Sequence, residues 1–422
     1  MALEAFEGAV RHEGAYEASE VAMGSVYVHF PYCLAKCPYC DFTSYAKPRD
    51  AIDHVGYADA VLAELDARAR ELEKRPHPFV LSTVFFGGGT PSLWDPRELG
   101  RVLQAILSRF GGSSELEVTV ECNPTSLDRE RATELLDQGV NRLSIGTQSL
   151  DREELGFLGR LHDPEGALSA VRGALSVPGL RVSSDLIFGL PNQTPEGAAE
   201  QATRLAGLGL DHVSAYQLTI EPGTRFGELA RVGRLPLADD GRVAEAFLAV
   251  DESLTACGLG HYEISNFARP GEEARHNLGY WRGDEYLGLG CGAVGALAND
   301  DATFATRYRN TTSPEAYTKR AYGPVTPMDD TGATHEAPLA MEVEALSPET
   351  RLKERIMLGL RLAQGMDLEQ AAASLGIEAF PAERSRVVDQ LVARGRLERD
   401  GSRIRIPKHA WLFTDDIAAR LF

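Results

Sequence analysis

Residues Tyr27–Phe42 read "YVHFPYCLAKCPYCDF", which places Cys33, Cys37 and Cys40, three of the chain's six cysteines, within eight residues. A structural zinc site normally recruits four ligands, and CxxxCxxC supplies three. His29 is a fourth in principle, but it lies inside the alternating pattern of a strand. A redox dithiol uses CxxC and leaves Cys33 idle. Three thiolates do fit a cubane iron–sulfur cluster with one iron left open to a small chelate. Pro31 and Pro38 stiffen the loop. Tyr32 and Tyr39 are placed to shield such a cluster from water.

The strand "SVYVHF" that enters this loop begins a series. Strand patterns at 26–30, 81–86, 115–121, 141–146, 180–188 and 211–218 alternate with helical patterns near 51–75, 96–109, 129–138, 165–176 and 195–208. The helix before "LEKR" has apolar residues at three- and four-residue spacing. Strand followed by helix, repeated, indicates parallel β/α packing, and spacing alone does not separate an open sheet from a barrel. Unusual polar residues fall at or just past the strand ends: the first cysteines, Gly87 to Thr90, Glu121, Gln148 and Asp185. In β/α folds those ends form the active face. Any one of these residues also reads as a loop start or a helix cap; their agreement across separate segments favours a site.

The rest of the chain reads less regularly. Residues 1–24 are expected to form a loose arm and 25–220 the β/α unit. Residues 221–300 read as an extension with many glycines and polar turns, and 301–350 as an irregular connection with a loop at "PVTPMDDTGATHEAP". Residues 351–422 read as three helices and a hairpin around "RDGS", a winged-helix-like module. With 62 acidic against 43 basic residues the formal charge is -19, which opposes a nucleic-acid backbone and favours packing as the role of that module. Six scattered and clustered cysteines do not make a disulfide scaffold and suit a reducing compartment. The acidic start has no apolar core and no stretch reads as a membrane span, so the expectation is a cytoplasmic protein that is not integral to a membrane.

The motifs "YVHFPYCLAKCPYCDF", "FFGGGTPS", "ECNP", "SIGTQS", "LGRLH", "DLIFGLP", "SAYQLTIEPGT" and "HNLGYW" occur in one order over residues 25–422. Together they resemble the radical S-adenosylmethionine superfamily, within it the oxygen-independent coproporphyrinogen III oxidase group, and most closely that group's heme chaperone branch. The resemblance implies an α/β fold: a partial (β/α)6 TIM-like barrel with a C-terminal, mainly helical module. It implies that Cys33, Cys37 and Cys40 hold a [4Fe-4S] cluster whose open iron binds the amino and carboxylate groups of S-adenosylmethionine. An electron from the cluster then cleaves the sulfonium to methionine and a deoxyadenosyl radical. Gly88, Gly89 and Thr90 match the positions that meet the methionine part. Glu121 suits the ammonium or a sugar hydroxyl. Gln148, Arg160 and Asp185 match positions holding the ribose and carboxylate ends, and Tyr27 and Tyr39 match contacts flanking the cluster loop.

Oxidase and chaperone share this machinery. The oxidases of the group carry a further cysteine two residues after the third cluster cysteine, where this chain has Phe42. They also have a longer N-terminal region. "HNLGYW" matches a signature of the chaperone branch, with His276 as a candidate axial ligand of heme iron and Tyr280 and Trp281 as aromatic surface for a porphyrin. The same residues also read as a loop anchor. The expected partners are therefore heme and an acceptor hemoprotein, for example a respiratory protein at the membrane. Oxidative decarboxylation of coproporphyrinogen III, or radical methylation, is the alternative.

Overall fold

The computed structural model describes residues 23–112, 115–319 and 342–422. The expected arm, except its last two residues, and the expected loop at 324–338 lie outside the described residues. The first strand is β1 Met23–Phe30. The cysteine loop follows, pinned by the two-residue strands β2 Tyr32–Cys33 and β3 Tyr45–Ala46. Then come α1 His54–Leu72, β4 Val80–Gly88, α2 Pro96–Phe110, β5 Glu117–Cys122, α3 Arg129–Asp137 and β6 Arg142–Gln148. After α4 Arg152–Phe157 and α5 Pro164–Leu175 the series closes with β7 Arg181–Phe188, α6 Pro195–Ala206 and β8 His212–Gln217. The helices start where the sequence supplies caps: Asp53, Asp95, Asp128, Asp163 and Thr194 each accept a first-turn amide hydrogen. Such caps satisfy donors that have no partner within the helix.

Strands β1, β4, β5, β6, β7 and β8 are parallel neighbours in that order. Along each strand, alternate residues face opposite sides. Val26, Val28 and Phe30 are fully buried under the helices, where Phe30 stacks on Trp94 at 4.9 Å. The other parity (Tyr27, Phe85, Glu121, Ser144, Asp185) faces the lumen.

The extension is more ordered than its glycine content suggests. It forms α7 Arg225–Arg231, α8 Asp240–Ala256, β9 Gly260–Glu263, β10 Asn266–Ala268, α9 Arg275–Arg282, β11 Glu285–Leu289 and β12 Val294–Ala298. β11 pairs parallel with β1, so a seventh parallel strand adjoins the expected six. Residues 301–350, expected to be irregular, contain β13 Ala305–Arg309, α10 Pro314–Lys319 and β14 Glu342–Leu346. These strands continue the sheet antiparallel, giving twelve strands among the described residues. Glycines masked the pattern because several serve close packing: a Cβ on Gly288 would lie 2.1 Å from the Val294 carbonyl oxygen.

The C-terminal part comprises α11 Pro348–Gly359, β15 Met366–Asp367, α12 Leu368–Ala373, α13 Ala382–Ala393, β16 Glu398–Asp400, β17 Arg403–Arg405 and α14 Thr414–Ala419. It has its own apolar core around Ile356, Val388, Ile404 and Trp411. The hairpin turns at Gly401–Ser402, as the sequence indicates. Among the described residues no helix is long and apolar enough to cross a membrane.

Candidate functional site

The cysteine loop is clamped onto the carboxyl ends of β1 and β4. Tyr45 N donates to the Pro31 carbonyl and Lys47 N to that of Cys33, both at 2.8 Å. From the other side Gly89 N donates to Phe30 O at 2.7 Å and Thr90 N to Tyr32 O at 2.9 Å. The glycine run is a packing requirement here. A Cβ on Gly89 would stand 2.7 Å from the Tyr32 carbonyl oxygen, and Gly88 has a φ of +110°, a region that side chains resist. The amides of Gly89 and Thr90 hold the loop, so neither N–H is free for a ligand.

These elements enclose a cavity of about 400 Å³. Cys33, Cys37, Cys40, Tyr39, Gly88, Gly89, Thr90, Glu121, Gln148, Arg160 and Asp185 all line it. Residues spread over more than 150 positions of sequence thus converge. Each cysteine has one polar neighbour at its sulfur. Thr90 Oγ1 donates to Cys33 Sγ at 3.4 Å, Arg160 Nη1 donates to Cys37 Sγ at 3.5 Å, and Ser44 Oγ is 3.7 Å from Cys40 Sγ. Arg160 is held in place by donating to Gly146 O at 2.8 Å. Burial pushes the Cys33 thiol up to about 11, against the opposing pull of the Thr90 bond. A thiol so placed ionises readily only beside a cation such as iron. Among the described residues no three His, Cys, Asp or Glu side chains stand close enough to hold one metal ion. A cubane instead takes each thiolate on a different iron, and the donor set, three thiols with hydrogen-bond donors at their sulfurs, fits that group.

Across the cavity Glu121 accepts from Gly88 N at 3.0 Å. Burial pushes its carboxyl up to about 7; the Gly88 bond opposes this and the nearby Asp185 adds to it. Asp185 accepts from Ser144 Oγ at 3.1 Å, and burial raises it while its serine partners pull it down. Two carboxyl groups and a guanidinium over a cysteine triad can grip a small zwitterion that carries hydroxyls. Gln148 takes a positive φ of 65°, a strained backbone at the edge of the site.

Tyr27 stands deeper. With His276 and Tyr280 it lines a second cavity of about 200 Å³ in the barrel lumen, below Glu121 and Asp185. Its hydroxyl bonds His29 Nδ1 at 3.0 Å, and His29 Nε2 bonds Thr43 O at 2.8 Å. His29 therefore ties strand to loop and is no fourth thiolate partner.

The "HNLGYW" segment is α9, and it closes the amino-terminal end of the barrel, opposite the cysteines. His276 N donates to Glu117 Oε1 at 3.0 Å at the start of β5. The ring is 1% exposed. Its Nδ1 bonds Thr83 Oγ1 at 2.7 Å and its Nε2 bonds the Tyr280 hydroxyl at 3.1 Å. Both ring nitrogens are thus engaged inside the protein, so iron ligation by His276 requires breaking one of these bonds. Burial drives the imidazole down to about 3, a neutral ring. Trp281 lies on the outer side, 5.8 Å below the Arg361 guanidinium.

Sequence reasoning missed Ser44, Ser144, Ser214 and Tyr216. The signal was available in part: polar residues recur at every second position of β5 through β8, on the face opposite the apolar one.

Three comparisons bear on this geometry. Residues 27–205 match the family model "Radical SAM superfamily", and residues 346–413 match "HemN C-terminal domain". "Heme chaperone HemW" of Mycobacterium tuberculosis is 32% identical over 397 residues, 94% of each chain. Its Escherichia coli counterpart is 38% identical over 299 residues, 71% of this chain and 76% of that one. Among solved structures, coproporphyrinogen III oxidase (HemN) from Escherichia coli superimposes with a TM-score of 0.75 over 95% of this chain and 90% of that one, at 20% identity.

Proposed function

The chain belongs to the radical SAM superfamily, in the group with the HemN C-terminal domain, and from that premise we propose that it is a cluster-dependent heme chaperone. It binds heme and passes it to an acceptor hemoprotein, for example a respiratory protein at the membrane, and it works in the cytoplasm. Cys33, Cys37 and Cys40 hold a [4Fe-4S] cluster, which when bound supplies the electron that cleaves S-adenosylmethionine. Gly88, Gly89 and Thr90 shape the floor of its pocket. Glu121 meets the ammonium, Asp185 and Gln148 the ribose, and Arg160 the carboxylate, with Tyr39 covering the loop and Tyr27 closing the pocket from below. The C-terminal helices and hairpin serve as a winged-helix-like packing module.

The observation that carries this reading is the convergence of the cysteine triad, the glycine run and the acidic pair on one cavity, in a chain that matches heme chaperones along 94% of its length. Phe42 also lines that cavity, where it offers an apolar face and no thiol. The test is anaerobic cluster reconstitution, a hemin titration with and without S-adenosylmethionine, and an assay with coproporphyrinogen III. Heme retained without decarboxylated product supports the chaperone. Decarboxylated product moves the chain to the oxidase reading, the one toward which the HemN-like fold points.

A further inference from the structure

A third cavity, of about 340 Å³, lies between the barrel floor and the C-terminal part. Tyr280 lines both it and the lumen, so this one ring partitions the two. Tyr286 packs edge-on against Tyr280 at 4.8 Å. Ala298, Ala305, Leu346 and Leu358 belong to an apolar wall beside them.

The charged groups around this cavity are unequally matched. Glu285 is held by Arg75 at 2.9 Å, and Arg307 is held by Glu354 at 2.6 Å and by Glu344 at 3.1 Å. Arg351 and Arg355, one helical turn apart on α11, have no such partner among the described residues. Arg351 Nη1 donates to Ala302 O at 2.5 Å and Phe304 O at 3.2 Å. Arg355 Nη1 donates to Ala371 O at 3.0 Å and Ser374 Oγ at 2.6 Å. Carbonyl and hydroxyl oxygens orient these guanidinium groups. Glu285 and Glu354, each already held by another arginine, act on Arg351 through space, and Asp284 on Arg355, without a direct ion pair to either. Gly283 allows the arrangement: a Cβ there would lie 3.0 Å from Arg355 Cγ, so the arginine stem runs across the glycine. Half-buried guanidinium groups that make no direct ion pair, beside an aromatic and aliphatic wall, suit a flat apolar ligand with carboxylates at one edge.

We propose that this cavity seats the carboxylate-bearing edge of the porphyrin, with Arg351 and Arg355 taking its carboxylates and Tyr280 and Tyr286 its apolar body. This rests on the heme reading above and adds the place and the residues. α9 then has one face in the lumen and the other against the cargo.

The test compares hemin with iron-free protoporphyrin IX, so that carboxylate recognition is separated from iron ligation. The R351Q/R355Q double variant is expected to weaken both ligands by about tenfold or more, while cluster content and reductive cleavage of S-adenosylmethionine stay as in the unaltered chain. A298L, which narrows the apolar wall without touching an arginine contact, is expected to weaken both as well. Circular dichroism and thermal melts check that each variant folds. Unaltered affinities in folded variants overturn the assignment and leave the chaperone reading standing. Failure of the unaltered chain to bind either ligand overturns both.

Discussion

A cysteine sulfur beside a cationic hydrogen-bond donor is suited to ligate iron. Cys37, half-buried in the cavity, has such a donor in Arg160. Replacing Cys37 with Ala is expected to remove nearly all cluster iron after anaerobic reconstitution, read as iron per chain and as visible absorption. Asp185 accepts from Ser144 and faces the same cavity. Asp185→Asn removes a charged acceptor for ligand hydroxyls, worth about 1.5–3 kcal/mol, or roughly ten- to a hundredfold in affinity for S-adenosylmethionine by calorimetry. Glu121 provides a pH test. Burial holds its carboxyl at about 7 in the folded chain, against about 4.3 unfolded. The folded state therefore binds the extra proton, so this group's contribution is fully present below about 4.3 and is lost as pH rises toward 7. Glu121→Gln does not titrate. Melting curves should show the variant gaining stability on the unaltered chain between pH 5 and pH 8. Affinity for an ammonium-bearing ligand should rise through the same window in the unaltered chain and stay flat in the variant.

The element that sets the site is the end of β4 and the turn after it, where Gly89 faces the cysteine loop. Gly89→Ala places a methyl against two backbone carbonyls, from Tyr32 at 2.7 Å and Phe30 at 2.9 Å. Backbone does not yield as a side chain end does. The expected cost is about 1–3 kcal/mol in chemical denaturation, with lower cluster incorporation because the loop is displaced. The barrel strands and helices themselves were legible. The six strand patterns and five helical patterns fall within a few residues of the elements observed, because each strand alternates apolar and polar faces and each helix begins at a cap. The extension was not legible in this way. β11 is short and glycine-rich, and its partner β1 lies more than 250 positions earlier, so nothing local marks it as a parallel strand.

The whole molecule depends on ties between such distant segments. Glu64, fully buried on α1, accepts from Gly290 N at 2.9 Å, Asn310 Nδ2 at 2.7 Å and the Tyr317 hydroxyl at 2.7 Å. One carboxylate thus joins the first helix to the extension. Glu64→Ala removes from the interior the carboxylate that these donors and the nearby Arg68, at 3.5 Å, share. The expected loss is about 3–5 kcal/mol, measured by urea unfolding.

By itself the sequence determined the parallel β/α architecture and the cysteine triad, which follow from local periodicity, caps and the spacing of thiolates, all properties of short stretches. Gly88 to Thr90, Glu121, Gln148 and Asp185 of the cavity above were marked by their place at strand ends, and Arg160 only by the resemblance to the radical S-adenosylmethionine superfamily. Only the tertiary structure decided that "HNLGYW" closes the barrel floor with His276 already bonded on both sides, that a seventh parallel strand joins β1, and that Arg351 and Arg355 meet Tyr280 across a cavity. Those facts rest on which remote backbone and side-chain groups satisfy one another once buried, and no local pattern encodes that pairing.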